Sequence, residues 1–131
     1  MKNLTASLED YLEVIYNYSH TNKSIRAIDI SKELKISRAS VSEALKKLTQ
    51  KGYINYGQHE ALALTDLGKE TAQKILYKHT TLETFFEKIL ELDKKEATKN
   101  ACKIEHVITD RAFSQIVNFM KNNKVEIKCE Y

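Results

Sequence analysis

The chain has 131 residues, 42% hydrophobic and 30% charged, a composition that excludes disorder and allows one domain or two small ones sharing a core. No apolar run reaches the ~18 residues of a membrane span, and MKNLTASLED lacks the apolar stretch of a signal peptide, so the expected location is the cytoplasm, with no membrane partner. Net charge is only +3, but residues 22–56 hold eight basic side chains against three acidic, a local +5 that leaves the rest at −2 and fits a polyanion partner for that segment.

In chain order, SLEDYLEVIYNYSH starts with Ser7 as N-cap and acids in its first turn, and Leu8, Leu12, Ile15 and Tyr16 form the apolar stripe of a helix. RAIDISKELKIS (26–37) is a short helix turning Ile28, Ile30 and Leu34 inward. SRASVSEALKKLTQKGYI (37–54) opens with Ser37 as N-cap, buries Val41, Leu45 and Leu48, and ends at Gly52. The period then changes: YINY and ALAL flank GQHE, which predicts a two-stranded hairpin. Thr65 caps a long helix from Asp66 to about Leu92. Asp93 caps another, carrying Ala97, Ala101, Ile104 and His106, and Asp110 a last one, with Phe113, Ile116, Val117 and Met120. The tail KVEIKCEY carries no legible role.

Helix, helix, helix, hairpin is the order of a winged helix-turn-helix. The expected fold is therefore mainly α: a winged helix-turn-helix DNA-binding domain over 1–65, then an all-helical domain over 66–131. In the first, the candidate recognition helix presents Ser37, Arg38, Ala39, Ser40, Ser42 and Glu43 at its start. Arg38 can donate to guanine or phosphate, the serines to phosphate or bases, and Ala39 can touch a thymine methyl. Lys46 and Lys47, further along, suit phosphates. The partner this predicts is a double-stranded DNA operator. His59, at the wing tip, is expected to be an exposed loop residue.

CKIEHV places Cys102, Glu105 and His106 at i, i+3 and i+4, so one helical face offers sulfur, oxygen and nitrogen donors. With only Cys102 and Cys129 in a reducing compartment, both are expected as thiols. Asp10 and Glu13 share a face of the first helix, and His79 and Glu83 a face of the long one. One such cluster is ordinarily a solvated charged surface. Three in a chain with four histidines point to a divalent metal.

These segments together resemble the DtxR/MntR family of metal-dependent transcriptional repressors, over nearly the whole chain. The resemblance rests on EDYLEVIY, the helix-turn-helix, LTDLGKE after the wing, LYKHTTLETFF and CKIEHVI. It implies Asp10, Cys102, Glu105 and His106 as primary metal ligands, with Glu13, His79 and Glu83 in an adjoining or second site, and the short, two-domain type without an SH3-like domain. Two departures stand out. Manganese-type members have a carboxylate where this chain has Cys102, and the iron-type pattern has methionine where it has Asp10. At the wing tip Glu60-Ala61 replace an Arg-Gly. A thiolate ligand favours Fe(II), Co(II), Ni(II) or Zn(II) over Mn(II), although geometry and cellular supply can override affinity; the expected ion is Fe(II), with Mn(II) close behind.

The expected function is repression of metal-uptake genes, an ion bridging the two domains and setting the spacing of recognition helices in a homodimer. Phe113, Ile116, Val117 and Met120, with Phe85, Phe86 and Ile89, would supply the dimer face. No enzymatic activity and no small organic substrate are expected. C-x-x-E-H differs by one residue from the H-x-x-E-H of some zinc hydrolases, but that chemistry needs the first histidine, which Cys102 replaces. The alternative is a metal-independent winged-helix regulator, which leaves the three donor clusters without purpose.

Overall fold

The computed structural model describes residues 4–21, 24–57 and 62–127. The described elements run α1 (Ala6–Ser19), α2 (Ala27–Leu34), α3 (Arg38–Gln50), β1 (Ile54–Asn55), β2 (Ala63–Leu64), α4 (Asp66–Lys88), α5 (Lys94–Ile104) and α6 (Asp110–Asn122). The chain divides into two compact units, Met1–Ala72 and Gln73–Tyr131, with α4 leading from one into the other.

In the first unit, α1, α2 and α3 pack on one another and the antiparallel pair β1–β2, in register Ile54 to Leu64, packs on α1 and α3. Leu12, Ile15, Ile30, Val41, Leu45, Leu48 and Ile54 are fully enclosed. Tyr11 is buried as well, and burial raises its phenol pKa. The three-helix reading with a hairpin behind it holds, and the apolar stripes of α1 and α3 point inward as their periodicity predicts.

Helix ends differ in detail. The cap of α1 is Thr5, whose hydroxyl accepts from Leu8 N–H, not Ser7, which already lies within the first turn. Helix α2 begins only after Arg26, whose N–H donates to Asp29 Oδ2 at 2.8 Å. It ends on Lys35 in the left-handed region, φ 56°, with Ile36 N–H reaching back to Ser31 O. Ser37 then caps α3, so the helix-turn-helix turn is three residues long. Gly52 takes φ 85° just beyond α3, the stop that glycine provides at little cost. Thr65 caps α4 by accepting from Gly68 N–H and donating to the Gly52 and Tyr53 carbonyls. Gly68 is required there: a Cβ would sit 2.0 Å from Tyr53 O.

In the second unit α4 ends at Lys88, a turn short of Leu92, as Glu91 goes left-handed. Asp93 caps α5 as predicted, but α5 ends at Ile104, so Glu105 is its C-cap and His106 lies in the turn beyond. Thr109, not Asp110, caps α6: its shorter hydroxyl accepts from Ala112 N–H, which leaves Asp110 in the first turn, where its charge suits the helix dipole. Tyr77 of α4 stacks edge-on against Phe113 of α6, and Lys78 pairs with Asp110 at 3.8 Å. Leu82, Ala97, Ala101 and Met120 are buried, while Phe113, Ile116 and Val117 remain half-exposed and Phe119 is exposed.

Candidate metal centre and recognition helix

Helix α3 carries the predicted DNA-reading residues as an exposed row. Arg38, Ala39, Ser40, Ser42, Glu43, Lys46 and Lys47 all face solvent, opposite buried Val41, Ala44, Leu45 and Leu48. Ser37 is exposed too, but its hydroxyl is committed to the helix end. It accepts from Ser40 N–H at 3.2 Å and donates to Ser40 Oγ at 3.0 Å. Thr5, Ser7 and Lys51, none of them among the predicted DNA-reading residues, line an open groove beside Ser40, Glu43 and Lys47. The wing tip, with His59, Glu60 and Ala61, lies outside the described residues.

In the second unit, α4 and the end of α5 gather His79, Cys102 and Glu105. Their donor atoms lie within 4.8 Å of one another. His79 Nδ1 is 2.8 Å from Glu105 Oε1, and Cys102 Sγ is 3.8 Å from the same nitrogen. The α-helical backbone explains half of this: Glu105 N–H still donates to Ala101 O, so Cys102 and Glu105 keep helical spacing although the helix proper has ended. Packing of α4 on α5 explains the rest, since His79 is 23 residues away from Cys102.

Electrostatics set this cluster apart from a solvated charged face. Glu105 is only 3% exposed, and its Oε2 is buried with no hydrogen-bond partner among the described residues. A buried carboxylate with one unmatched oxygen is costly unless a cation faces it. His79 meets part of that need. Nδ1 faces Glu105, and Nε2 lies 3.4 Å from Glu83 Oε2, so the ring sits between two carboxyl groups. The hydrogen bond to Glu105 raises its pKa, burial opposes this, and the charges of Glu105 and Glu83 add to the rise. Burial pushes the Glu83 carboxyl up, but hydrogen bonds from Lys94 and Thr98, with the Lys94 charge, hold it below its ordinary value. A nitrogen, a thiol sulfur and a half-unsatisfied buried carboxylate fit a divalent transition metal.

Two features of this cluster were not legible as such. The resemblance puts His79 in an adjoining or second site, and in the structure its ring lies directly against Cys102 and Glu105. Lys94 and Thr98 were not singled out, although a lysine at the first position of a helix, where the dipole disfavours cations, is a usable signal. His106, half-buried, follows Glu105 in the turn, and Asp10 and Glu13 are half-buried on α1 in the first unit.

Comparison with known proteins agrees with this division of labour. Residues 3–62 match the family described as iron dependent repressor, N-terminal DNA binding domain. Residues 65–129 match iron dependent repressor, metal binding and dimerisation domain. An uncharacterized helix-turn-helix-type transcriptional regulator of Methanocaldococcus jannaschii is 38% identical over 95% of this chain and 100% of its own length. The regulator MntR of Shouchella clausii is 32% identical over 94% of this chain and 87% of its own. Among solved structures, a manganese-dependent transcriptional repressor in complex with manganese superposes with a TM-score of 0.80 at 27% identity, over 87% of this chain and 52% of that one. This chain thus spans about half the length of that repressor.

Proposed function

Since this chain belongs to the iron-dependent repressor family, the DtxR/MntR type of metal-dependent transcriptional repressor, we propose that it represses metal-uptake genes when a divalent ion joins its two modules, divided near Thr65, and orders a homodimer on a palindromic operator. The family is one of transcriptional regulators, and the hydrolase reading of C-x-x-E-H is set aside. Among the described residues no helix is long and apolar enough to cross a membrane, and the proposed place of action is the cytoplasm.

The observation that carries the reading is Glu105: a buried carboxylate with an unmatched oxygen, against His79 Nδ1 and close to a thiol. We assign His79, Cys102 and Glu105 as ligands, with His106 beside them and Asp10 and Glu13 supplied by α1. When bound, the ion supplies two positive charges to a set of carboxylates and a thiolate. To hold it, His79 would give up its Nδ1 proton and Cys102 its thiol proton. The carboxylates of α1 and the donors of α4–α5 would then have one countercharge in common, which would favour one arrangement of the two modules over others. In the homodimer that arrangement sets the separation of two α3 helices, which must match about 34–36 Å, one turn of DNA. Arg38, Ala39, Ser40, Ser42 and Glu43 read base edges, Ser37 fixes the helix end, and Lys46 and Lys47 neutralise phosphates.

The soft sulfur of Cys102 favours Fe(II). Mn(II) is the second reading, favoured by the manganese repressors among the relatives. The test is operator binding by the full chain, anaerobically, with Fe(II), with Mn(II) and with chelator. Tight binding with metal and loss of at least tenfold in chelator is the expected result. Equal binding in all three would instead identify a metal-independent winged-helix regulator.

A further inference from the structure

Lys94 opens α5, immediately after its N-cap Asp93. That end of a helix favours acids and disfavours cations, so a lysine there gains from a local partner. Its partner is Glu83 of α4, whose Oε1 lies 2.8 Å from Lys94 Nζ, with Glu87 Oε1 at 3.9 Å. Thr98, one turn further along α5, donates its hydroxyl to the other oxygen, Oε2, at 2.7 Å. The same Oε2 faces His79 Nε2 at 3.4 Å.

Both oxygens of Glu83 are therefore engaged, one of them by a full positive charge. An ion at Glu83 would have to displace the ammonium of Lys94. Of the groups around Glu83, Lys94 is the one with a fixed positive charge: Thr98 offers a neutral hydroxyl, and His79 turns its Nδ1 to Glu105 and Cys102. Glu83 does have a different use: it anchors the far nitrogen of His79 and so fixes the direction of the near one, the part that outer partners of metal-bound histidines commonly play.

Resting on the reading that an ion is held at His79, Cys102 and Glu105, we propose that Lys94 is a built-in cation that closes Glu83 to metal and leaves it as a positioning residue for His79. The sequence pairing of His79 with Glu83 thus marks an orienting contact and not a second coordination site.

The test is a Mn(II) titration of the full chain, followed by the electron paramagnetic resonance signal of free Mn(II), on wild type, Glu83→Gln, Lys94→Met and the double variant. Lys94 is 71% exposed, so Lys94→Met leaves the fold intact, which circular dichroism checks. Glu83→Gln should bind as many ions per chain as wild type, with affinity on the order of tenfold lower. Lys94→Met should take one ion more than wild type, at Glu83 and Glu87, and the double variant should lose that extra ion. The proposal is overturned if Glu83→Gln binds one ion fewer than wild type, or if Lys94→Met gains none. A wild-type chain that binds no Mn(II) and no Fe(II) overturns the function proposed above, and this inference with it.

Discussion

His79 and Glu83 make the cluster's pH behaviour two-sided. The folded pKa of His79 lies above its unfolded value. Its contribution to stability is thus complete below about 6.5, the ordinary histidine value, and is lost as pH rises through the folded pKa. Glu83 has a folded pKa below its unfolded value, so its contribution is present above the ordinary carboxylate range and is lost as pH falls through the folded pKa. In chelator, thermal unfolding should therefore show stability falling on the alkaline side through the His79 range, and His79→Gln should flatten that arm. Metal affinity should have the opposite alkaline trend: the proposed ligation requires His79 and Cys102 to release protons, so affinity should weaken as pH falls. Replacing a ligand should cost more than replacing an outer partner, so Cys102→Ser is expected to lower affinity for Fe(II) at least on the order of 100-fold, measured by competition with a chelator. The oxygen of serine should cost Mn(II) less than Fe(II), which makes the same variant a test of metal preference.

Helix ends and turns decide where these side chains point. Lys35 holds the helix-turn-helix turn in a left-handed conformation without being glycine, at a cost of about 1 kcal/mol. Lys35→Gly should therefore raise the melting temperature of the DNA-free chain by a few degrees, a gain of about 0.5–1 kcal/mol. Gly68 behaves in the reverse way. Its missing Cβ lets α4 approach the Tyr53 carbonyl, and Gly68→Ala should destabilise the first unit by roughly 1–3 kcal/mol or more, seen as a lower urea midpoint. Caps were legible where an N-cap residue stood alone before an apolar period, as at Ser37 and Asp93. They were misread where two candidates lay within two residues, as with Thr5 and Ser7 or Thr109 and Asp110. Each candidate can accept from an N–H two or three residues further on, and backbone geometry settles which one does.

For the whole molecule, the proposed function has charge and metal act on separate steps. Lys46 and Lys47 are exposed on the recognition helix, and removing either should weaken operator binding uniformly across sequences and reduce the magnitude of the log-affinity against log-salt slope by about one. Arg38→Ala should instead relax discrimination at one base pair, by about 1–3 kcal/mol. By linkage, operator DNA must tighten metal binding by the factor by which metal tightens DNA binding. The sequence by itself determined the order of helices and hairpin, the inward faces of α1 and α3, the exposed row on α3 and the short list of candidate metal donors, because each of these follows from a local period or from residue chemistry. Only the tertiary structure decided that His79 stands against Cys102 and Glu105, that one oxygen of Glu105 is buried unmatched, and that Lys94 and Thr98 engage Glu83. Those facts arise where α4 packs on α5, between residues eleven to twenty-six apart in the chain, and helical periodicity specifies which face a residue takes but not which residue of another helix it will meet.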